Sequence, residues 1–419
     1  MLPTATLQTL DNGLKLVLVP DDHVESVCFG LFVASGSRHE SAGDAGISHF
    51  IEHMLFKGTA TRTALEISQA IEGRGGNFNA WTSEEGTSFF ARLPGDFLAA
   101  GVDIIADMFS NAAIPDAEFA RERMVILEEM KMYDDEPYSV ASENLSRSLF
   151  PGNPVGLPIV GTEKTLMAMT PARLRDYMRK AYVPSATTAV VAGRFDAKEA
   201  VRLVERALGE LGGGPPPSFE RMNARTRPVR EVRAQRDIQQ TQLALGYRTF
   251  GVRAPVRKRS AASVFDGLMG RSMSSRLFQS VREKRGLSYD IRSQLQLFDE
   301  TGGWAVTAGV DSARAGKALE AIDRELARIR AKRPSAPELR RTKEYLTGNF
   351  RLGLEQVMSR MFYFGSCVQT FGRVIQPDQV VADIAAVTAD DVLSVANEIL
   401  DEKNRAVSWV TPKSAKRQA

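Results

Sequence analysis

The chain has 419 residues, 43% of them hydrophobic and 25% charged, with a formal net charge of +3. That length exceeds one typical core and calls for two or more domains. The near-neutral balance gives no argument for a nucleic-acid partner, Cys28 and Cys367 stand too far apart for a disulfide framework, and no apolar run is long enough to span a bilayer.

In chain order, Met1-Leu2-Pro3-Thr4 opens no charged-then-apolar signal segment, so a cytoplasmic location is expected. Strands are predicted near 14–19 and 25–34. The second contains Val27-Cys28-Phe29-Gly30-Leu31-Phe32-Val33 and reads as buried, with Cys28 a reduced structural thiol. Helices follow over 45–56 and 64–73, then a strand around 78–92, then helices over 95–111 and 116–133.

Gly212-Gly213-Gly214-Pro215-Pro216-Pro217-Ser218 has no helix or strand potential. It separates a domain at 1–211 from one at 219–419, with 212–218 as linker. The two halves end alike. Met169-Thr170-Pro171 opens a helix followed by the strand Thr187 to Gly193, and Val387-Thr388-Ala389 opens a helix followed by Arg405 to Val410. Each threonine can cap its helix, and the repeated ending predicts a duplicated α+β domain. The basic residues from Lys413 to Arg417 read as a solvated terminus.

Ser48-His49-Phe50-Ile51-Glu52-His53 contains His-x-x-Glu-His. Histidines at i and i+4 share one helix face, close enough to hold one ion, and the glutamate beside them can reach a water on that ion. At about 100° per residue, Ile47, Phe50, Ile51, Met54 and Leu55 form one apolar stripe, with His49, Glu52 and His53 opposite. His23 and His39 lack such partners and read as surface or loop residues. A catalytic zinc site needs a third protein ligand. The helix from Asp116 offers Glu118, Glu122 and Glu129 on one face, with Val125 and Ile126 between them; geometry narrows the choice to that face without selecting one residue.

These residues resemble the inverted-motif zinc peptidases, the family of pitrilysin, insulin-degrading enzyme and the mitochondrial processing peptidase, and the resemblance covers nearly the whole chain. The closest likeness is to the processing peptidase's catalytic subunit and its bacterial homologues. The resemblance implies a zinc-dependent endopeptidase with one Zn2+ per chain. The family's third ligand lies 76 positions beyond the second histidine, which selects Glu129 beside His49 and His53. Glu52 takes the role of catalytic base, and Glu122 matches a second glutamate that supports catalysis. Gly36-Ser37-Arg38 and Phe56-Lys57-Gly58-Thr59 resemble the residues framing the motif. Gly76 to Ser83 resembles the edge strand to which substrate adds, with Asn79, Ala80 and Trp81 at the substrate-contacting positions. Ser274 to Tyr289 is similar to the segment carrying a catalytic Arg and Tyr, here Arg282 and Tyr289.

The implied fold is two homologous domains, each a mostly antiparallel sheet flanked by helices, forming half of a clam-like chamber. The implied partners are peptide substrates and a second chain: a homodimer first, or a heterodimer with a zinc-less homologue. Nothing resembles a mitochondrial presequence, which favours a bacterial peptidase. Some relatives are non-catalytic scaffold subunits, but those typically lose part of the zinc set that this sequence retains.

Overall fold

The structure, a computed structural model, describes residues 2–413, so the basic tail beyond Lys413 lies outside the described residues. The first sheet contains β1 Thr6–Thr9, β2 Lys15–Pro20, β3 Ser26–Val33, β4 Asn77–Thr82, β5 Thr87–Pro94 and β6 Thr187–Gly193. The second contains β7 Glu231–Arg236, β8 Thr241–Phe250, β9 Ser288–Leu297, β10 Thr301–Val310 and β11 Arg405–Pro412. Their orders are β1-β2-β6-β3-β5-β4 and β7-β11-β8-β10-β9. Counted from β2 and from β7 these orders are the same. Only β2 with β6 and β7 with β11 run parallel; the other pairs are antiparallel. A shared order with the parallel pair in the same place is the signature of a duplication, as the repeated helix–strand endings predict.

The chain divides into two compact units that are not the two sequence halves. Unit 1 takes residues up to Met130, Leu157–Glu220 and Phe350–Val380. Unit 2 takes Lys131–Gly156, Arg221–Asn349 and the residues from Val381 on. There is neither helix nor strand between Leu208 and Glu231. What a cut at 212–218 misses is an exchange. Five α-helices lie between β5 and β6 and five between β10 and β11. The third of each series, Pro137–Leu149 and Val357–Phe371, belongs to the unit built by the other half.

The exchange follows from what each sheet must bury. In unit 1, one face packs on helices of its own half, and β3 is buried at nearly every position because its second face is covered too. That cover is Val357, Met361, Phe364 and Val368, seated on Cys28, Phe32, Phe90 and Val190. Gly365 lets the helix approach, since a Cβ there would lie 2.5 Å from the Phe32 ring. In unit 2, Val140, Ala141, Leu145 and Leu149 cover Ala244, Ala406 and Val410 in the same way. Each Val, Leu, Met or Phe among them contributes on the order of 1.5–3 kcal/mol when fully buried.

Two readings of local structure need correction. The single strand expected around 78–92 is a hairpin of β4 and β5, because Ser83-Glu84-Glu85-Gly86 closes a turn with Ser83 N–H donating to Gly86 O at 2.8 Å. His39 is half-buried rather than at the surface, its ring edge-on to Phe219 at 5.2 Å, and burial pushes its pKa down to about 4. His23 is exposed as expected. Among the described residues no helix is long and apolar enough to cross a membrane.

Candidate metal and catalytic site

The motif helix, Ile47–Leu55, begins at Gly46, whose φ of +93° favours glycine and where a Cβ would lie 2.6 Å from Val160 O. Gly46 has no side chain with which to cap the helix. Glu40 does so from upstream: Oε2 accepts from Gly46 N–H at 2.7 Å and Oε1 from Ser48 N–H at 2.9 Å. Helix N-termini leave such N–H groups unsatisfied and favour negative charge. Burial pushes the Glu40 carboxyl up to about 7, against those hydrogen bonds.

Ile47, Phe50, Ile51, Met54 and Leu55 are fully buried, so the apolar stripe does face the core. Phe50 stacks on Phe119 of the helix Asp116–Asp135, with ring centroids 4.5 Å apart. This contact docks the carboxylate-bearing helix against the histidine-bearing one. On the other side of the motif helix, the His49 and His53 rings lie 4.7 Å apart.

Glu129 Oε2 lies 3.7 Å from His49 Nε2 and 3.5 Å from His53 Nε2. The three donors all fall within 4.8 Å of one another. A tetrahedral zinc with bonds of about 2.0–2.1 Å holds its ligand atoms roughly 3.3–3.5 Å apart, so the spacing fits a shared ion better than direct hydrogen bonds. The chemistry of the donors agrees. Burial, and then the neighbouring His53, push the His49 pKa down to about 4, against the pull of Glu129, which keeps the imidazole neutral and able to ligate.

Glu122 stands behind His53. Its Oε2 lies 3.0 Å from His53 Nδ1, and its Oε1 accepts from Lys57 Nζ at 2.6 Å. A carboxylate buried this deeply needs such partners. Burial lowers the His53 pKa, but the two glutamates outweigh it and raise it. His49 has no counterpart to this support: its Nδ1 is buried and makes no hydrogen bond.

Glu52 projects beside the histidines, and Thr82 Oγ1 at the end of β4 donates to its Oε2 at 2.5 Å. Burial raises its pKa and the Thr82 hydrogen bond opposes the rise, the balance remaining upward. A carboxylate with raised basicity beside a metal site is equipped for general base work. β4 is the outermost strand of its sheet. Ala80 and Thr82 face inward, while Asn79 is exposed and Trp81 is 65% exposed. Asn79 Oδ1 accepts from Ala80 N–H at 2.8 Å. An unpaired strand edge of this kind is a template for an added peptide strand.

Of the three glutamates open on sequence, Glu118 pairs with Arg121, Glu122 reaches His53 Nδ1, and Glu129 joins both histidines. Between the glutamates, Val125 is 49% exposed, while Phe119 and Ile126 are buried. In unit 2, Arg282 sits on a π-helical turn, Phe278–Glu283, with its guanidinium 4.7 Å from the Tyr289 ring centre. Tyr289 is 78% exposed at the start of β9. The structure thus brings His49, Glu52, His53, Glu122 and Glu129 together in unit 1 and joins Arg282 to Tyr289 in unit 2. Sequence reasoning missed the roles of Glu40, Lys57 and Thr82. Lys57 and Thr82 lay inside segments already singled out, but Glu40 carried no pattern of its own.

The family described as Insulinase (Peptidase family M16) matches residues 16–163, and the one described as Peptidase M16 inactive domain matches residues 168–346. An uncharacterized zinc protease of Bacillus subtilis is 31% identical over 410 residues, covering 96% of this chain and 97% of its own. Another from Mycobacterium leprae is 35% identical over 403 residues, covering 94% and 89%. Among solved structures, a protease from Helicobacter pylori superposes with a TM-score of 0.92 at 21% identity, covering 98% of this chain and all of that one. A structure described as a peptidase M16 inactive domain, from Pseudomonas fluorescens, gives 0.90 at 19% identity, with 99% of each chain covered.

Proposed function

This chain belongs to the insulinase family of peptidases, M16, and from that premise we propose that it is a zinc-dependent endopeptidase of peptides or unfolded segments. One observation carries the reading: His49, His53 and Glu129 converge within 4.8 Å of one another, with Glu52 beside them.

His49 Nε2, His53 Nε2 and Glu129 Oε2 would hold the ion. Bound zinc supplies Lewis acidity and lowers the pKa of water. Glu52 takes the proton of the attacking water and later delivers it to the leaving amine. Thr82 orients the Glu52 carboxylate, and Glu122, neutralised by Lys57, holds the His53 ring at Nδ1. The substrate pairs along β4 at Asn79, Ala80 and Trp81, which binds backbone more than sequence. Arg282 holds a substrate carbonyl and the Tyr289 hydroxyl donates to the developing oxyanion. The assembly is a homodimer enclosing a chamber, with one zinc site per chain.

Glu52→Gln tests the assignment. It should bind zinc as the wild type does while losing nearly all cleavage of an internally quenched peptide. Undiminished cleavage would refute the role of Glu52. A wild-type chain that binds zinc and cleaves nothing would favour a scaffold subunit instead.

A further inference from the structure

The two histidines of the motif are supported unequally. His53 is gripped at Nδ1 by Glu122, whereas the buried His49 Nδ1 has no hydrogen-bond partner among the described residues. A metal-ligating histidine is ordinarily oriented through its second nitrogen. The direction of the His49 ring therefore depends on the backbone that carries it, the first turn of a nine-residue helix.

Two N–H groups at the start of that turn are held by one side chain. Glu40 accepts from Gly46 N–H and Ser48 N–H, the residues immediately before the helix and immediately before His49. Around it, Ser48 Oγ lies 3.3 Å from Tyr177 Oη, which in turn lies 3.1 Å from Ser35 Oγ. An ordinary helix start uses an exposed Ser, Thr or Asp, as the helices from Ala64 and Ala197 do with Thr63 and Asp196. Here the chain buries a whole carboxylate, a costly choice that a cap alone does not require.

We propose that Glu40 is a positioning residue for the metal centre, fixing the first helical turn so that His49 Nε2 meets His53 Nε2 and Glu129 Oε2. This rests on the zinc reading above. Fraying of one turn would displace His49 and leave His53, anchored a turn later by Glu122, in place. The loss would fall on metal affinity and turnover more than on substrate binding, because the two bonds that Glu40 accepts reach the helix start and not β4.

The test uses the full chain with Glu40→Gln, which keeps the side-chain volume but sets an amide N–H against a backbone N–H. Zinc affinity is read by competition with a chromogenic chelator, and kcat and KM with a quenched peptide. The expected result is an unchanged far-UV spectrum, zinc affinity lower by about 10- to 100-fold, kcat lower, and KM within about twofold. Ile51→Val on the buried face of the same helix is the control, expected to lower Tm without moving zinc affinity. Wild-type zinc affinity in Glu40→Gln, or an equal loss in Ile51→Val, overturns the proposal. If Glu40→Gln does not fold, Glu40→Asp carries the test, with weakened zinc binding expected. Wild-type affinity there, or failure of both variants to fold, overturns it in favour of a purely structural cap. A wild-type chain that binds no zinc overturns the zinc reading as well, so the two failures remain distinguishable.

Discussion

Units 1 and 2 place a carboxylate in the same relation to the sheet and surround it in opposite ways. In unit 1 the motif helix Ile47–Leu55, the first of two α-helices between β3 and β4, presents Glu52 to Thr82 on the outermost strand. In unit 2 the helix Val256–Gly270, between β8 and β9, presents Asp266 to Ser293 Oγ at 2.7 Å, again on the outermost strand. Asp266 is then sealed: Trp304 Nε1 donates at 2.9 Å, Arg271 Nε lies 2.9 Å away, and the carboxylate is 1% exposed. Glu52 instead stays half-buried beside two imidazoles and a second carboxylate. The scaffold supplies a helix carboxylate over an edge strand twice. What surrounds it decides between a structural bond and a reactive site.

The largest expected effect tests that contrast directly. Glu52→Gln should lower kcat by about a thousandfold or more, within or beyond the usual range for general acid–base groups. Asp266→Asn should leave kcat and zinc content within about twofold while destabilising the fold by roughly 1.5–3 kcal/mol, the worth of a buried charged hydrogen bond. Equal losses of kcat, with both variants folded in a thermal melt, would break the comparison.

Next come the glutamates of the helix Asp116–Asp135. Glu129→Gln removes a proposed direct ligand and should weaken zinc by more than about 100-fold. Glu122→Gln removes support behind His53 and should weaken it by about 10- to 100-fold. Chelator competition reads both, and a reversed order would exchange their roles.

Acid and base should act on the two units differently. Burial raises the Glu40 carboxyl of unit 1 from 4.5 to about 7. The folded state thus favours the protonated form, and stability should fall as pH rises from about 4.5 to 7 and level off above. Burial opposes ionisation of Asp391 in unit 2 also, but hydrogen bonds from Arg257 and Thr388 prevail and hold it down from 3.8 to about 2. Its contribution is present above about 3.8 and is lost as pH falls towards 2. Melting curves across pH for the wild type, Glu40→Gln and Asp391→Asn check both signs, each variant removing one slope.

The smallest effect concerns the matched helix starts. Thr170 Oγ1 accepts from Arg173 N–H at 3.3 Å, while Thr388 Oγ1 accepts from Asp391 N–H at 3.1 Å and Thr388 N–H donates in return to Asp391 Oδ2 at 2.8 Å. Thr388→Ala should cost about 1 kcal/mol and Thr170→Ala less, by denaturant titration. Equal values would remove the distinction.

Much of this was legible because it is local. The histidine pair, the apolar stripe on its far side and both threonine caps are periodic or adjacent in sequence. Glu129 was legible only by resemblance, since Glu118, Glu122 and Glu129 share a helix face and only the docking of Phe50 on Phe119 separates them. Thr82 reaches Glu52 through the β4–β5 hairpin, whose turn was read as part of one long strand. The exchanged helices were illegible for a different reason. An amphipathic pattern says that Val357 to Phe371 has an apolar face, but not which of two sheets receives it. Glu40 lies in a loop without periodicity, and its role exists only once the motif helix folds back over it.

The most direct test of the central claim is metal content and peptide cleavage of the purified chain alone, with and without a zinc chelator. One zinc per chain is expected, with cleavage that the chelator abolishes and added zinc restores. Cleavage that persists after the metal is removed, or a chain that takes up no zinc at all, would contradict it.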